Sequence, residues 1–301
     1  LGKAAFAFFV PVLAGYIAYA IADRPGLAPG FVAGALATGL DGNPLGTGTG
    51  FLGAILGGSL AGIVALWASR WSVPSWIRPL MPVVIIPLVA SILTGLAMVI
   101  VLKAPVGWLI TSLNGGLASL GTSGLVVLGL VLGLMMAFDM GGPVNKVAYT
   151  FATTGLAAGL ELAASGTAAA DIAQFKVMAI VMAAGMVPPI GMALATVLNK
   201  KLYDDAEREN GKAGWLLGAS FISEGAIPFA AADPTRVIPS IMAGSAVTGA
   251  LVGLFGNTLP APHGGIFVIA LVGNWATYLL AIAVGAVVTA LLVNLLKGAK
   301  K

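Results

Sequence analysis

FISEGAIPFAAADP, residues 221–234, sets a carboxylate, Glu224, and a proline, Pro228, inside an otherwise apolar run. In a lipid interior a carboxylate costs on the order of 3 kcal/mol on insertion scales, so it is retained where it faces a cavity or a partner. Proline in the same run interrupts a helix. A solvated surface loop would house Glu224, but Phe221, Ile222, Ile227 and Phe229 are poor company for water. A re-entrant hairpin with Ser223, Glu224 and Gly225 at its tip answers both demands, and that is the expectation.

Composition decides that the surrounding solvent is lipid. The 301 residues are 59% hydrophobic and 9% charged, with 42 glycines; soluble domains carry roughly a quarter charged residues. Mean hydropathy is +1.02. The chain reads as an all-α integral membrane protein. Apolar runs at 4–22, 27–40, 50–68, 82–102, 124–138, 147–164, 175–198, 236–256 and 274–296 give about nine transmembrane helices, to which re-entrant hairpins are added. The first run is too long for a signal-peptide core and no small-residue cleavage site follows it, so it reads as a span. Cysteine is absent, which excludes disulfides, thiolate metal sites and a cysteine nucleophile on this chain. A single histidine makes metal ligation improbable. The 15 basic residues form no stripe, so nucleic acid is not implied as a partner.

The most polar segment, NKKLYDDAERENGKAG at 199–214, is expected as a water-exposed loop, its acids Asp204, Asp205, Glu207 and Glu209 forming a solvated face. Placing it in the cytoplasm and alternating the spans puts Arg24, Arg70, Arg78, Lys146, Arg236, Lys297, Lys300 and Lys301 inside, and only Lys3, Lys103 and Lys176 outside. That asymmetry sets the C-terminus in the cytoplasm. It also leaves Leu1 outside, so a further span ahead of it, about a tenth, is expected.

Glycines four apart (Gly30 and Gly34, Gly53 and Gly57, Gly58 and Gly62, Gly129 and Gly133) read as close helix packing. The segment 103–123 is weaker in hydropathy and reads as an interfacial linker helix between two halves. In the second half the apolar runs are interrupted by FDMGGPVNK at 138–146, MVPPIG at 186–191, ISEGAIPF at 222–229 and LPAPHGG at 259–265. Irregular backbone at membrane depth is tolerated where it is buried in protein or lines a cavity, and such breaks point to a transport site.

The polar groups at these breaks define the candidate site. In DMGGPVNK, Gly141, Gly142 and Pro143 argue for a turn whose tip offers backbone N–H groups and the Asn145 amide to a neutral polar ligand. An ordinary inter-helix loop, with Lys146 snorkelling to the headgroups, is the other reading. His263 lies between prolines and glycines and is either a hydrogen-bonded structural residue or a site group. Asp233 and Arg236 are expected to cap the next helix and pair locally. A carboxylate, an amide, an imidazole and tip backbone groups suit a ligand whose hydroxyls both donate and accept, a polyol or sugar. The ligand-binding set is Asp139, Gly142, Asn145, Lys146, Ser223, Glu224, Gly225 and His263.

Several of these motifs occur in one order: DRPGLAPG (23–30), DMGGPVNK (139–146), AAGMVPP (183–189), FISEGAIPFAA (221–231), DPTRVIPS (233–240) and APHGG (261–265). Together they resemble the fructose-specific membrane component, enzyme IIC, of the bacterial phosphoenolpyruvate-dependent sugar phosphotransferase system. The resemblance runs from Phe8 to Leu296 and implies the glucose-fructose-lactose superfamily type of IIC fold. It implies a homodimerising scaffold over 1–102, the linker over 103–123, and a transport domain with re-entrant hairpins over 124–301 that moves by an elevator-like motion. It further implies fructose or a related hexose as substrate and the bacterial cytoplasmic membrane as location. The partner would be a phosphocysteine-bearing IIB domain or chain, with no cofactor. By resemblance Glu224 contacts sugar hydroxyls, and Glu224 or His263 is the catalytic base. An ion-coupled secondary transporter releasing unmodified sugar is the alternative.

Overall fold

The computed structural model describes residues 2–38, 49–119 and 121–299; Leu1, the last two residues of the 27–40 run, Lys300 and Lys301 lie outside them. The chain forms two compact units, Leu1–Leu113 and Asn114–Lys301. The division falls inside the segment expected as a linker.

The first unit opens with α1 (Gly2–Ala22) and α2 (Arg24–Thr38), joined through Asp23 in the left-handed region at φ 58°. They pack with α3 (Gly50–Ser69) around Ala14, Ala18, Ala33, Ala37, Ala54 and Ala61. A Cβ added at Gly58 would lie 2.6 Å from the Ala14 carbonyl oxygen, so the backbones of α1 and α3 touch. Small residues supply this closeness because lipid gives helices no hydrophobic drive to associate.

Residues 81–118 form one unbroken helical run: a π turn at Met81–Ile85, α4 (Ile86–Leu96), a second π turn at Ala97–Leu102, and α5 (Lys103–Ala118). The wide turns contain Val83 and Val101, the residues four before Pro87 and Pro105, where a proline ring meets the carbonyl of the preceding turn. Widening relieves that clash without ending the helix. Of the segment expected as a linker, 103–123, Lys103–Ala118 is helical and follows the second π turn directly.

The second unit is built on α8 (Ala173–Leu198), with α6 (Thr122–Phe138), α7 (Pro143–Ala164), α9 (Asp205–Ala219), α10 (Ile227–Ala232), α11 (Pro234–Phe255) and α12 (Trp275–Gly298) around it. Nearly every residue of α8 from Gln174 to Pro189 is buried. Glycines again set the spacing between neighbours, Gly129 of α6 lying against the Gly249 carbonyl of α11. Among the described residues, each of the nine apolar runs lies on a helix. Among the described residues, five stretches are long and apolar enough to cross a membrane: Gly50–Ser69, Arg78–Leu109, Ala173–Leu198, Pro234–Phe255 and Trp275–Gly298.

MVPPIG does not break its helix, contrary to expectation; α8 passes through Pro188 and Pro189. Pro188 withholds the N–H that would bond the Ala184 carbonyl. The Ser245 hydroxyl of α11 donates to that oxygen instead, at 2.9 Å.

The segment 199–214 is likewise corrected from loop to helix start. Asp204 caps α9 in a capping box with Glu207, and Glu207 is withdrawn from solvent to receive the Lys297 ammonium at 2.6 Å. Tyr203 donates to Asn294 Oδ1 at 2.7 Å, and Asn294 donates to the Ala195 carbonyl at 3.1 Å. These contacts tie the base of α9 to α12. Burial, then the charges of Glu207 and Asp233, push the Tyr203 phenol above its ordinary value. Asp233 occupies the N-cap position of α11, but its carboxylate makes no cap bond; it pairs with Arg236 at 2.5 Å. Burial raises the Asp233 carboxyl, yet the Arg236 hydrogen bond and charge outweigh it and hold the group below its ordinary value.

Ser245→Ala should lower stability by about 1–3 kcal/mol, the cost of orphaning a buried carbonyl. Thermal unfolding in detergent measures this, and the loss should shrink in a Pro188→Ala background, where the replacement restores the helical N–H.

Candidate functional site

Three chain breaks of the second unit meet at one place. The first is the turn between α6 and α7. Its Asp139 carboxylate accepts the Val144 N–H at 2.7 Å and the Asn145 N–H at 2.9 Å, satisfying donors that the start of α7 leaves open. The buried Asn145 amide donates to the Met136 carbonyl at 2.6 Å, closing the end of α6. Pro143 takes the first helical position, where its missing N–H costs nothing. Met140 and Gly141 turn the chain at φ 45° and 102°. A Cβ at Gly142 would lie 2.6 Å from Asp139 Oδ2, so a glycine there admits the carboxylate.

The second break is the hairpin read from FISEGAIPFAAADP. Helix α9 ends in a Schellman-type closure: the Phe221 N–H bonds the Gly218 carbonyl at 3.1 Å and the Ile222 N–H bonds the Leu217 carbonyl at 2.9 Å. The left-handed residue of that closure is Phe221, at φ 65°, where glycine is usual. A 3₁₀ turn, Ser223–Ala226, begins the return, and Pro228 sits in the first turn of α10. A Cβ at Gly225 would lie 3.0 Å from Leu217 and 3.1 Å from Pro189, so Gly225 seats the return arm of the hairpin against α9 and α8.

The third break joins α11 to α12. Its ends are pinned by the Gly273 N–H bonding the Thr258 carbonyl at 2.8 Å and by the Asn257 amide donating to Gly273 and Asn274 carbonyls at 3.1 and 2.8 Å. Between them His263 precedes Gly264 and Gly265, at φ 127° and 55°. A Cβ at Gly265 would lie 2.9 Å from the Phe221 nitrogen, which shows how closely this loop meets the hairpin tip. The Gly265 N–H donates to Met182 Sδ of α8 at 3.2 Å.

Phe221 joins the breaks. The His263 ring meets it edge-on at 5.1 Å and the Tyr149 ring of α7 lies 6.1 Å away on a tilt. Glu224 is exposed, and a Cβ added at Gly141 would fall onto its Oε1 and lie 2.8 Å from its carboxyl carbon. The carboxylate therefore rests on the bare backbone of the α6–α7 turn. Burial pushes the His263 imidazole below its ordinary value, and the Glu224 charge pulls the other way.

Of the expected residues, Glu224 and His263 stand together beside the turn that carries Asn145. Both Asp139 oxygens accept from the first N–H groups of α7, and Gly142 gives them room. Ser223 is buried and Gly225 is a packing residue. Lys146 is exposed and forms no ion pair among the described residues. Sequence reading missed Tyr149 and the joining role of Phe221. Tyr149 lies one helical turn beyond Asn145, a spacing that could have found it; the left-handed Phe221 left no signal. A separate cavity of about 480 Å³, bounded by Thr196, Lys200, Arg208 and Trp215, contains none of these residues.

The family model described as "Phosphotransferase system, EIIC" matches residues 1–244. A Haloferax volcanii protein named "PTS system fructose-specific EIIC component" is 46% identical over 310 residues, covering 99% of this chain and 78% of that protein. The "Fructose permease IIC component" of Bacillus amyloliquefaciens is 44% identical over 295 residues, 97% of this chain and 90% of its own length. The "PTS system fructose-specific EIIB'BC component" of Rhodobacter capsulatus is 52% identical over 304 residues, 98% of this chain but only 48% of that protein. No solved structure is matched. With a family match over most of its length and relatives this similar from end to end, the chain belongs to the EIIC family of the phosphotransferase system.

Proposed function

We propose that the chain is a fructose permease subunit, binding the sugar among Glu224, Asn145 and His263 for phosphorylation by a phosphorylated IIB partner. The observation that carries the reading is Glu224 lying against the Gly141 backbone in a predominantly apolar unit. A carboxylate at such a place needs a polar ligand or cavity, and the fructose-named relatives supply the substrate class. The IIB partner is supported by the Rhodobacter capsulatus relative, whose name joins IIB and IIC components.

In the proposed reaction the sugar hydroxyl, at C1 in this reading, attacks the phosphorus of a cysteine-bound phosphoryl group. The sulfur–phosphorus bond breaks as the oxygen–phosphorus bond forms, and Glu224 or His263 takes the hydroxyl proton. The thiolate remains on the partner. The phosphorylated product carries close to two negative charges and is repelled by Glu224. We further read the topology as nine crossings with a cytoplasmic C-terminus in the cytoplasmic membrane, supported by the placement of lysines and arginines. The scaffold, homodimer and elevator-like transport roles follow from the family resemblance.

Glu224→Gln should abolish fructose phosphorylation in membranes supplied with phosphorylated IIB, while unfolding temperature is unchanged; normal phosphorylation would refute the site. Gly141→Ala places a methyl where the Glu224 carboxylate rests, and fructose affinity should fall at least about tenfold, a loss near 1.4 kcal/mol. Gly166→Ala is its control: Gly166 has a similar φ of 97° but open space around it, so backbone strain alone should leave affinity intact. If His263 takes the proton, its lowered pKa leaves it mostly neutral at the ordinary value of 6.5. The midpoint of the acid limb of phosphorylation should then lie below 6.5, and His263→Asn should lose activity across the whole range rather than only on that acid limb.

A further inference from the structure

Tyr149 belongs to none of the motifs singled out by sequence, yet it stands where the three breaks converge. On α7 it follows Asn145 by four residues, so the two share a face of the helix. That face is the inner one, since Ala148 and Ala152 beside it are buried while Lys146 and Val147 are exposed. The Tyr149 ring is held 6.1 Å from Phe221, itself 5.1 Å from His263. Packing thus fixes the ring without using its hydroxyl. Among the described residues the only hydrogen bond at Tyr149 outside the helix ladder is made by its backbone carbonyl, which accepts from Thr153, and the hydroxyl is not among the sealed polar atoms that lack partners.

An oriented phenol with an uncommitted O–H, separated from the imidazole by the one Phe221 ring, is suited to a ligand hydroxyl because it can both donate and accept. Tyrosine and tryptophan typically keep a partner for their polar end when the body of the ring is packed. We propose that Tyr149 is a further sugar-binding residue, its hydroxyl bonding one hydroxyl of the bound ketose while Phe221 holds its ring in place. The inference rests on the sugar-site reading of Glu224 and His263, and it assigns specificity: a sugar lacking that one hydroxyl loses what Tyr149 contributes.

Tyr149→Phe tests it, because it deletes one oxygen and keeps the ring contact. Binding of radiolabelled fructose to the full chain in detergent should weaken about tenfold, with unfolding temperature unchanged. Across a set of monodeoxy fructoses, one analogue should bind wild type and Tyr149→Phe equally, marking the hydroxyl that Tyr149 contacts. Unchanged fructose affinity in Tyr149→Phe would overturn the proposal, and so would a loss of affinity matched by a drop in unfolding temperature, which reports a structural hydroxyl. Glu224→Gln separates the two readings. If it abolishes binding while Tyr149→Phe does not weaken it, only the Tyr149 inference falls; if both variants bind as wild type does, the sugar site falls as well.

Discussion

The second unit depends on one helix being buried along its middle and yet interrupted there in its hydrogen bonding. Helix α8 runs through Pro188 and Pro189 with almost no exposed surface along its middle. In a bilayer an unanswered carbonyl has no water to turn to. The Ser245 hydroxyl answers Ala184 from α11, and by doing so fixes how those two helices lie together. Two of the three breaks that form the site are then referred to the same helix. Gly185 faces the Phe221 ring, Gly225 meets Pro189, and Met182 accepts the Gly265 N–H.

The two tips carry strain that their surroundings hold in place. Left-handed backbone at a residue with a side chain costs on the order of 1–3 kcal/mol, and both Met140 and Phe221 adopt it. Met140 is buried in the cluster that includes Ala226 and Phe229. Phe221 is gripped by Tyr149, His263 and the backbone of Gly265. Strain of this kind gathers where geometry serves a ligand; here its effect is to bring Glu224 onto the turn that carries Asn145. At the other end of α9, the Glu207–Lys297 pair and the Tyr203–Asn294 hydrogen bond anchor the hairpin to α12. The tip is thus presented from a fixed base.

Much of this was legible in the sequence because it depends on local properties. Apolar runs marked the helices, DMGGPVNK marked a turn, and Glu224 beside Pro228 marked a break in the chain. Failures came where a distant group changed the outcome. MVPPIG looked like a break because a proline pair removes local hydrogen bonds, and the compensating hydroxyl lies 61 residues away. Polarity made 199–214 look like a solvated loop, whereas a capping box and a lysine 90 residues on make it an anchored helix start.

By itself the sequence determined the solvent, the positions of most helices and of three breaks, and the kind of ligand that a lone carboxylate, an amide and an imidazole would suit. Those follow from composition and short-range periodicity, which each segment carries on its own. Only the tertiary structure decided which polar groups meet and which are consumed in holding the fold. Glu224 rests on Gly141 and His263 on Phe221, because such pairings are set by the packing of helices far apart in the chain around α8.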